Sequence, residues 1–89
     1  MKKEFNDDYW IEYFTNCIRK GINTYKDVGS IVWKETIKDT LMKEIEDKTA
    51  TEFAINATVD YFVDQIKRKR NTIDDVPTSI INLVKERMK

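Results

Sequence analysis

The stretch TATEFAINATVDYFVDQIKRKR, residues 49–70, decides the fold class. Wound at 100° per residue, it is apolar on two sides of a helix. One side carries Ile55, Val59, Phe62, Val63 and Ile66, and the other Phe53, Ala54, Ala57 and Tyr61. Asn56, Asp60 and Lys67 form one polar seam between them, with Thr58 and Gln65 on the other. A helix with two apolar sides needs neighbours on both, which makes this segment the centre of a helical core. Thr49 followed by Glu52 reads as a capping box that opens it.

Working outward, the neighbouring segments carry the same period. A helix over about 25–47 follows Thr24, with Asp27 three residues later, and breaks or re-caps at Gly29-Ser30. Its main body bears the stripe Trp33, Ile37, Leu41 and Ile45. A first helix over about 8–20 has N-cap candidates in Asn6, Asp7 and Asp8. It ends at Gly21, after Arg19 and Lys20, whose charges suit a helix C-terminus. A fourth helix, about 77–88, starts near Pro77 and turns Ile80, Leu83, Val84 and Met88 inward. Two glycines and one proline are too few for the turns of an all-β chain. The expectation is one all-α domain over 1–89, a compact four-helix bundle. It would be antiparallel and up-down, with helix 3 central and connections of roughly 2–6 residues, the alternative being a less regular arrangement around helix 3. No internal repeat, low-complexity tract or linker is evident in this reading.

The residue inventory argues against an enzyme. The chain has no histidine, which removes His-based triads, His acid–base chemistry and His metal ligands. A single cysteine, Cys17, makes neither a disulfide nor a zinc site. Its position in the apolar arc of the first helix fits a buried structural thiol. No glycine-rich phosphate loop occurs. Carboxylates remain: Asp60 and Asp64 stand one helical turn apart, and Glu44, Glu46, Asp47 and Glu52 surround one turn. Helical pyrophosphohydrolases pair Glu-x-x-Glu with a later Glu-x-x-Asp to hold Mg²⁺. Here Glu44-x-x-Asp47 is a loose start with no second pair at a suitable distance. Solvated acids are the expectation, with no catalytic residue, no metal, no cofactor and no small-molecule substrate.

Sixteen basic and sixteen acidic residues balance to zero, unlike a chain that binds nucleic acid through bulk positive charge. The N-terminus lacks the apolar core of a signal peptide, and the longest apolar run is three residues, so no membrane span and a cytoplasmic location are expected. Abundant Lys, Ile, Asn, Asp and Thr suit an AT-rich genome such as that of a low-GC bacterium, its phages or mobile elements.

Two surfaces remain as functional candidates. Phe5, Tyr9, Trp10, Tyr13 and Phe14 crowd ten residues, and the apolar arc of the first helix, about 200° wide, exceeds what one neighbour covers. Core packing accounts for part of it, and the remainder suits a partner protein or a second copy, since Tyr and Trp are enriched at binding hot spots. The expected function is therefore a non-enzymatic interaction module: a regulator, adaptor or inhibitor. The alternative is nucleic-acid binding by a basic pole. In an up-down bundle, Arg19 and Lys20 would gather with Lys67, Arg68, Lys69 and Arg70 at one end. Four consecutive helical residues point in four directions, so the run from Lys67 is no groove-facing stripe by itself. A salt titration of nucleic-acid affinity tests the pole. Several neutralised phosphates give a steep loss with salt, and no binding at low salt eliminates it.

Overall fold

The computed structural model describes residues 7–89. Four α-helices and two short 3₁₀ turns make up the regular structure, and no strand occurs among the described residues. The helices are α1 (Asp7–Arg19), α2 (Ile31–Glu46), α3 (Glu52–Lys67) and α4 (Ile81–Arg87). The 3₁₀ turns, Tyr25–Asp27 and Ile73–Asp75, precede α2 and α4. The radius of gyration, 13.3 Å, is close to the ~12 Å of a compact chain of this length. No described helix is long and apolar enough to cross a membrane.

The two apolar sides of α3 feed two parts of the core. Ala54, Ala57 and Tyr61 join Ile18, Tyr25, Val28, Ile37 and Leu41. Val59, Phe62 and Val63 join Met42, Val76, Ile80 and Val84. Phe53 stands out of the core, mostly exposed. On the last helix only Ile80 and Val84 of the expected face are buried, while Leu83 and Met88 are exposed. That helix starts at Ile81 rather than near Pro77, because Pro77 to Ile80 close a separate turn through the Ile80 N–H and the Pro77 carbonyl (3.1 Å).

The starts of α2 and α3 also differ from expectation. Thr51, not Thr49, caps α3 and accepts the Ala54 N–H at 3.1 Å. The N–H groups of Thr49 and Ala50 both donate to the Glu44 carbonyl, so these residues finish α2 instead of opening α3. Ser30 caps α2 by accepting the Trp33 N–H at 3.2 Å. Tyr25–Asp27 is a separate 3₁₀ turn rather than the first turn of that helix.

Three helices end alike. The N–H of Ile22 reaches the Cys17 carbonyl at 2.9 Å, that of Thr49 reaches Glu44 at 2.8 Å, and that of Arg70 reaches Gln65 at 2.9 Å. Each closure puts one residue in the left-handed region: Gly21 (φ 79°), Lys48 (φ 63°) and Lys69 (φ 62°). Only the first uses glycine.

The chain also repeats itself, contrary to the sequence expectation. YFTNCIRKGINTYKDV, residues 13–28, and YFVDQIKRKRNTIDDV, residues 61–76, match at Tyr, Phe, Ile, Asn, Thr, Asp and Val. The matching pairs stand 48 positions apart, from Tyr13 with Tyr61 to Val28 with Val76. The structure repeats with the sequence. Both segments pass from helix through a left-handed residue into a 3₁₀ turn. In each turn a threonine N–H donates to the aspartate three residues on: Thr24 to Asp27 at 2.9 Å and Thr72 to Asp75 at 2.8 Å. Both turns end on a buried valine, Val28 and Val76.

The path between α1 and α2 departs from a hairpin. Residues 20–30 run back along α3, with Gly21 beside Phe53 and the Tyr25 ring stacked on Tyr61 at 4.6 Å. Phe14 then meets Trp33, while Arg19 pairs with Glu44, so contacts ascend in the same sense along α1 and α2. Up-down order does not describe these two helices. An eleven-residue connection laid over α3, longer than the expected loop, lets α2 return in that direction.

The left-handed lysines give a prediction of sign. Lys69→Gly relieves the strain of a Cβ at positive φ, partly offset by the greater freedom of glycine in the unfolded chain, and should add about 0.5–1 kcal/mol to stability. Gly21→Ala should subtract about 1 kcal/mol, chiefly through φ. The new Cβ would lie 2.7 Å from the Phe53 ring, which is exposed and can swing aside. Urea denaturation followed by circular dichroism reads both.

Candidate protein-interaction surface

The aromatic residues of α1 form a ladder of ring contacts. Tyr9 meets Trp10 edge-on (5.1 Å between ring centres), Trp10 meets Tyr13 (5.8 Å), and Tyr13 meets Phe14 (5.4 Å). Edge-to-face geometry places the positive rim of one ring on the negative face of the next. Phe14 also touches Trp33 of α2 at 6.3 Å, anchoring the ladder to the core. Trp10 and Phe14 are half-buried, whereas Tyr9 is 56% and Tyr13 48% exposed. Phe5, the remaining member of the expected cluster, lies outside the described residues. Cys17, one turn after Tyr13, is buried, and a hydrogen bond with its thiol raises the Tyr13 phenol above its ordinary value.

The exposed flank of this face is acidic. Asp7, Asp8 and Glu12 are exposed and in no ion pair among the described residues. Arg19, at the far end of α1, is committed elsewhere. Its Nε donates to Glu44 at 3.1 Å, one terminal nitrogen also pairs with Glu44, and another donates to Asn16 at 2.6 Å.

The basic residues expected to form a pole lie apart. The Arg19 carbonyl accepts the Thr51 hydroxyl at 2.7 Å, placing Arg19 and Lys20 by the N-terminus of α3. Lys67 to Arg70 lie at the C-terminus of that helix, about 24 Å along its axis at 1.5 Å per residue. The arrangement assumed a hairpin of α1 and α2, and the connection over α3 removes it. Arg68 pairs with Asp64 on its own helix, and Arg87 with Asp60, so the two aspartates one turn apart on α3 each hold an arginine.

Sequence reasoning missed a second basic grouping. Lys26, Lys34, Lys67 and Arg87 rim a groove of about 430 Å³ beside α3, whose wall includes Ala57 and Tyr61. These cations come from the first 3₁₀ turn, α2, α3 and α4, so only the folded path of residues 20–30 brings them together. Next to the groove, the Tyr25 hydroxyl shares a hydrogen bond with Thr58 at 2.9 Å, and the Tyr61 hydroxyl donates to Glu35.

Comparison with protein-family models, with curated proteins and with solved structures returns no match.

The two buried tyrosines generate a pH prediction. Burial, first, pushes both phenols well above their ordinary value; at Tyr61 the hydrogen bond to Glu35 adds to this, and at Tyr25 the bond with Thr58 opposes it. A phenol raised in the folded state contributes stability that is full below its unfolded value of about 10 and is lost as pH rises through the folded value. The urea midpoint should therefore fall from about pH 10 upward. Tyr25→Phe should cost about 1 kcal/mol near neutrality, from the lost hydrogen bond, and should flatten the alkaline fall. Denaturation profiles of both proteins across that range separate this effect from lysine deprotonation, which they share.

Proposed function

We infer that the chain is a non-enzymatic protein-interaction module, a small helical regulator, adaptor or inhibitor, whose docking surface is the aromatic face of α1. The observation that carries this reading is the pair Tyr9 and Tyr13, exposed side by side over half-buried Trp10 and Phe14. Such a surface has the anatomy of a binding hot spot: rigid aromatic side chains with few rotors, fixed from beneath by packing. The acids around it supply partner selection, since charge at the rim steers encounter more than it adds affinity. In this reading α3 is the central helix of the bundle. It touches α1, α2, α4 and the first 3₁₀ turn, and among the described residues α1 keeps Tyr9 and Tyr13 exposed toward a partner. The partner is another protein or a second copy.

Replacement of Tyr13 by a photo-crosslinking phenylalanine analogue in the native cell tests the reading. Adducts of discrete mass, absent or much weaker with the same analogue at exposed Thr40 on α2, are the expected result. Equal or no adduct formation at the two positions would remove α1 as the docking surface.

A further inference from the structure

Tyr13 and Tyr61 occupy the same position of the repeated segment, in opposite surroundings. Tyr61 is 6% exposed, covered by the Tyr25 ring, with Glu35 accepting from its hydroxyl. Its neighbour Asp60 is paired with Arg87 and lies at the cationic groove. On α1 the equivalent neighbours are Glu12 and Tyr13. Tyr13 is exposed, and Glu12 is in no ion pair among the described residues. Among the described residues, the first helix of the repeat thus shows the acid–tyrosine chemistry of the second without an ion pair at Glu12 or a stacked ring such as Tyr25.

The complement lies on the same molecule. Lys26, Lys34 and Lys67 rim the groove beside α3 and form no ion pair among the described residues. With Arg87 they set four cations against Asp60 and Asp64, and both of those carboxylates are held by arginines. The groove is therefore net positive, with a partly apolar wall at Ala57 and Tyr61. Its volume, about 430 Å³, is within the range of pockets that accept organic side chains.

Resting on the reading of α1 as a docking surface, we propose that Glu12, Tyr13 and Tyr9 of one copy dock in the lysine-rimmed groove of a second copy. Opposite charge selects the pairing, and burial of the two tyrosine rings supplies most of the attraction. A polyphosphate or nucleic acid would satisfy the lysines alone and leave the aromatic face uncovered, whereas a second copy satisfies both. The contact joins two different surfaces, so each copy contributes one half.

Sedimentation of the whole chain over a range of concentrations and salt tests this. Wild type should self-associate, more weakly as salt rises. Tyr13→Ala, the charge reversal Glu12→Lys and the double change Lys26→Glu/Lys67→Glu should each weaken association about tenfold or more. All four positions are exposed, and circular dichroism checks that each variant remains folded. Mixing Glu12→Lys with Lys26→Glu/Lys67→Glu should restore association, because the mixture contains one intact α1 face and one intact groove. A chain monomeric at every concentration overturns the proposal, as does association that the groove changes leave intact. Variants that weaken association but do not complement on mixing also overturn it, since a contact between the α1 face and the groove needs only one intact copy of each. A monomeric chain whose position-13 cross-linker still captures another protein overturns the second-copy docking while leaving α1 as the docking surface.

Discussion

The structure depends on how Tyr25 is buried. Its ring lies flat on Tyr61, its hydroxyl meets Thr58, and only 3% of it reaches solvent. A buried phenol needs a hydrogen-bond partner, and the Thr58 hydroxyl, itself fully buried, supplies one. Small residues make the place for it: Ala54 and Ala57 keep that side of α3 low enough for a chain segment to lie across it. With Tyr25 seated, residues 20–30 must follow α3 rather than turn back at once. The position of α2, the pairing of Glu35 with Tyr61 and that of Glu44 with Arg19 all follow from that path.

The same path sorts the charge. A chain with equal numbers of acidic and basic residues has no overall field to steer a partner, yet its surface is not uniform. The N-terminal turns of α1 collect acids, and the groove beside α3 collects cations from four separate elements. Most ion pairs elsewhere are local or exposed, such as Arg68 with Asp64 and Lys89 with Glu86, and contribute little stability. Arg19 with Glu44 is the exception in geometry. Both side chains are mostly covered, and the guanidinium grips both carboxylate oxygens, joining the ends of two helices.

Much of the fold was legible from side-chain periodicity. The two apolar sides of α3 reappear as its contributions to two core clusters, and Ser30 and Gly21 end or begin helices where their chemistry says. Other features were hidden for identifiable reasons. Lys48 and Lys69 stop helices as glycine does, because the six-to-one hydrogen bond and the packing that follows outweigh a modest local strain. Thr49 looked like a cap, but its N–H was already claimed by the preceding helix. The repeat is faint in the sequence because no identical run within it exceeds two residues. The cationic groove was illegible in principle, since its members are scattered in sequence and the hairpin assumption directed Arg19 toward the wrong end of α3.

The repeated turn has one more implication. A unit of half this 89-residue chain closes only a small core by itself, because a chain that short buries roughly half of its surface or a little more. One unit alone would leave bare the side on which Tyr61 now meets Tyr25. Two units on one chain meet as tethered neighbours, at an effective concentration set by a connection of a few residues and of millimolar order. The short link between α2 and α3 therefore does the work that abundance would otherwise have to do. It makes the pairing of the two halves independent of how much protein is present.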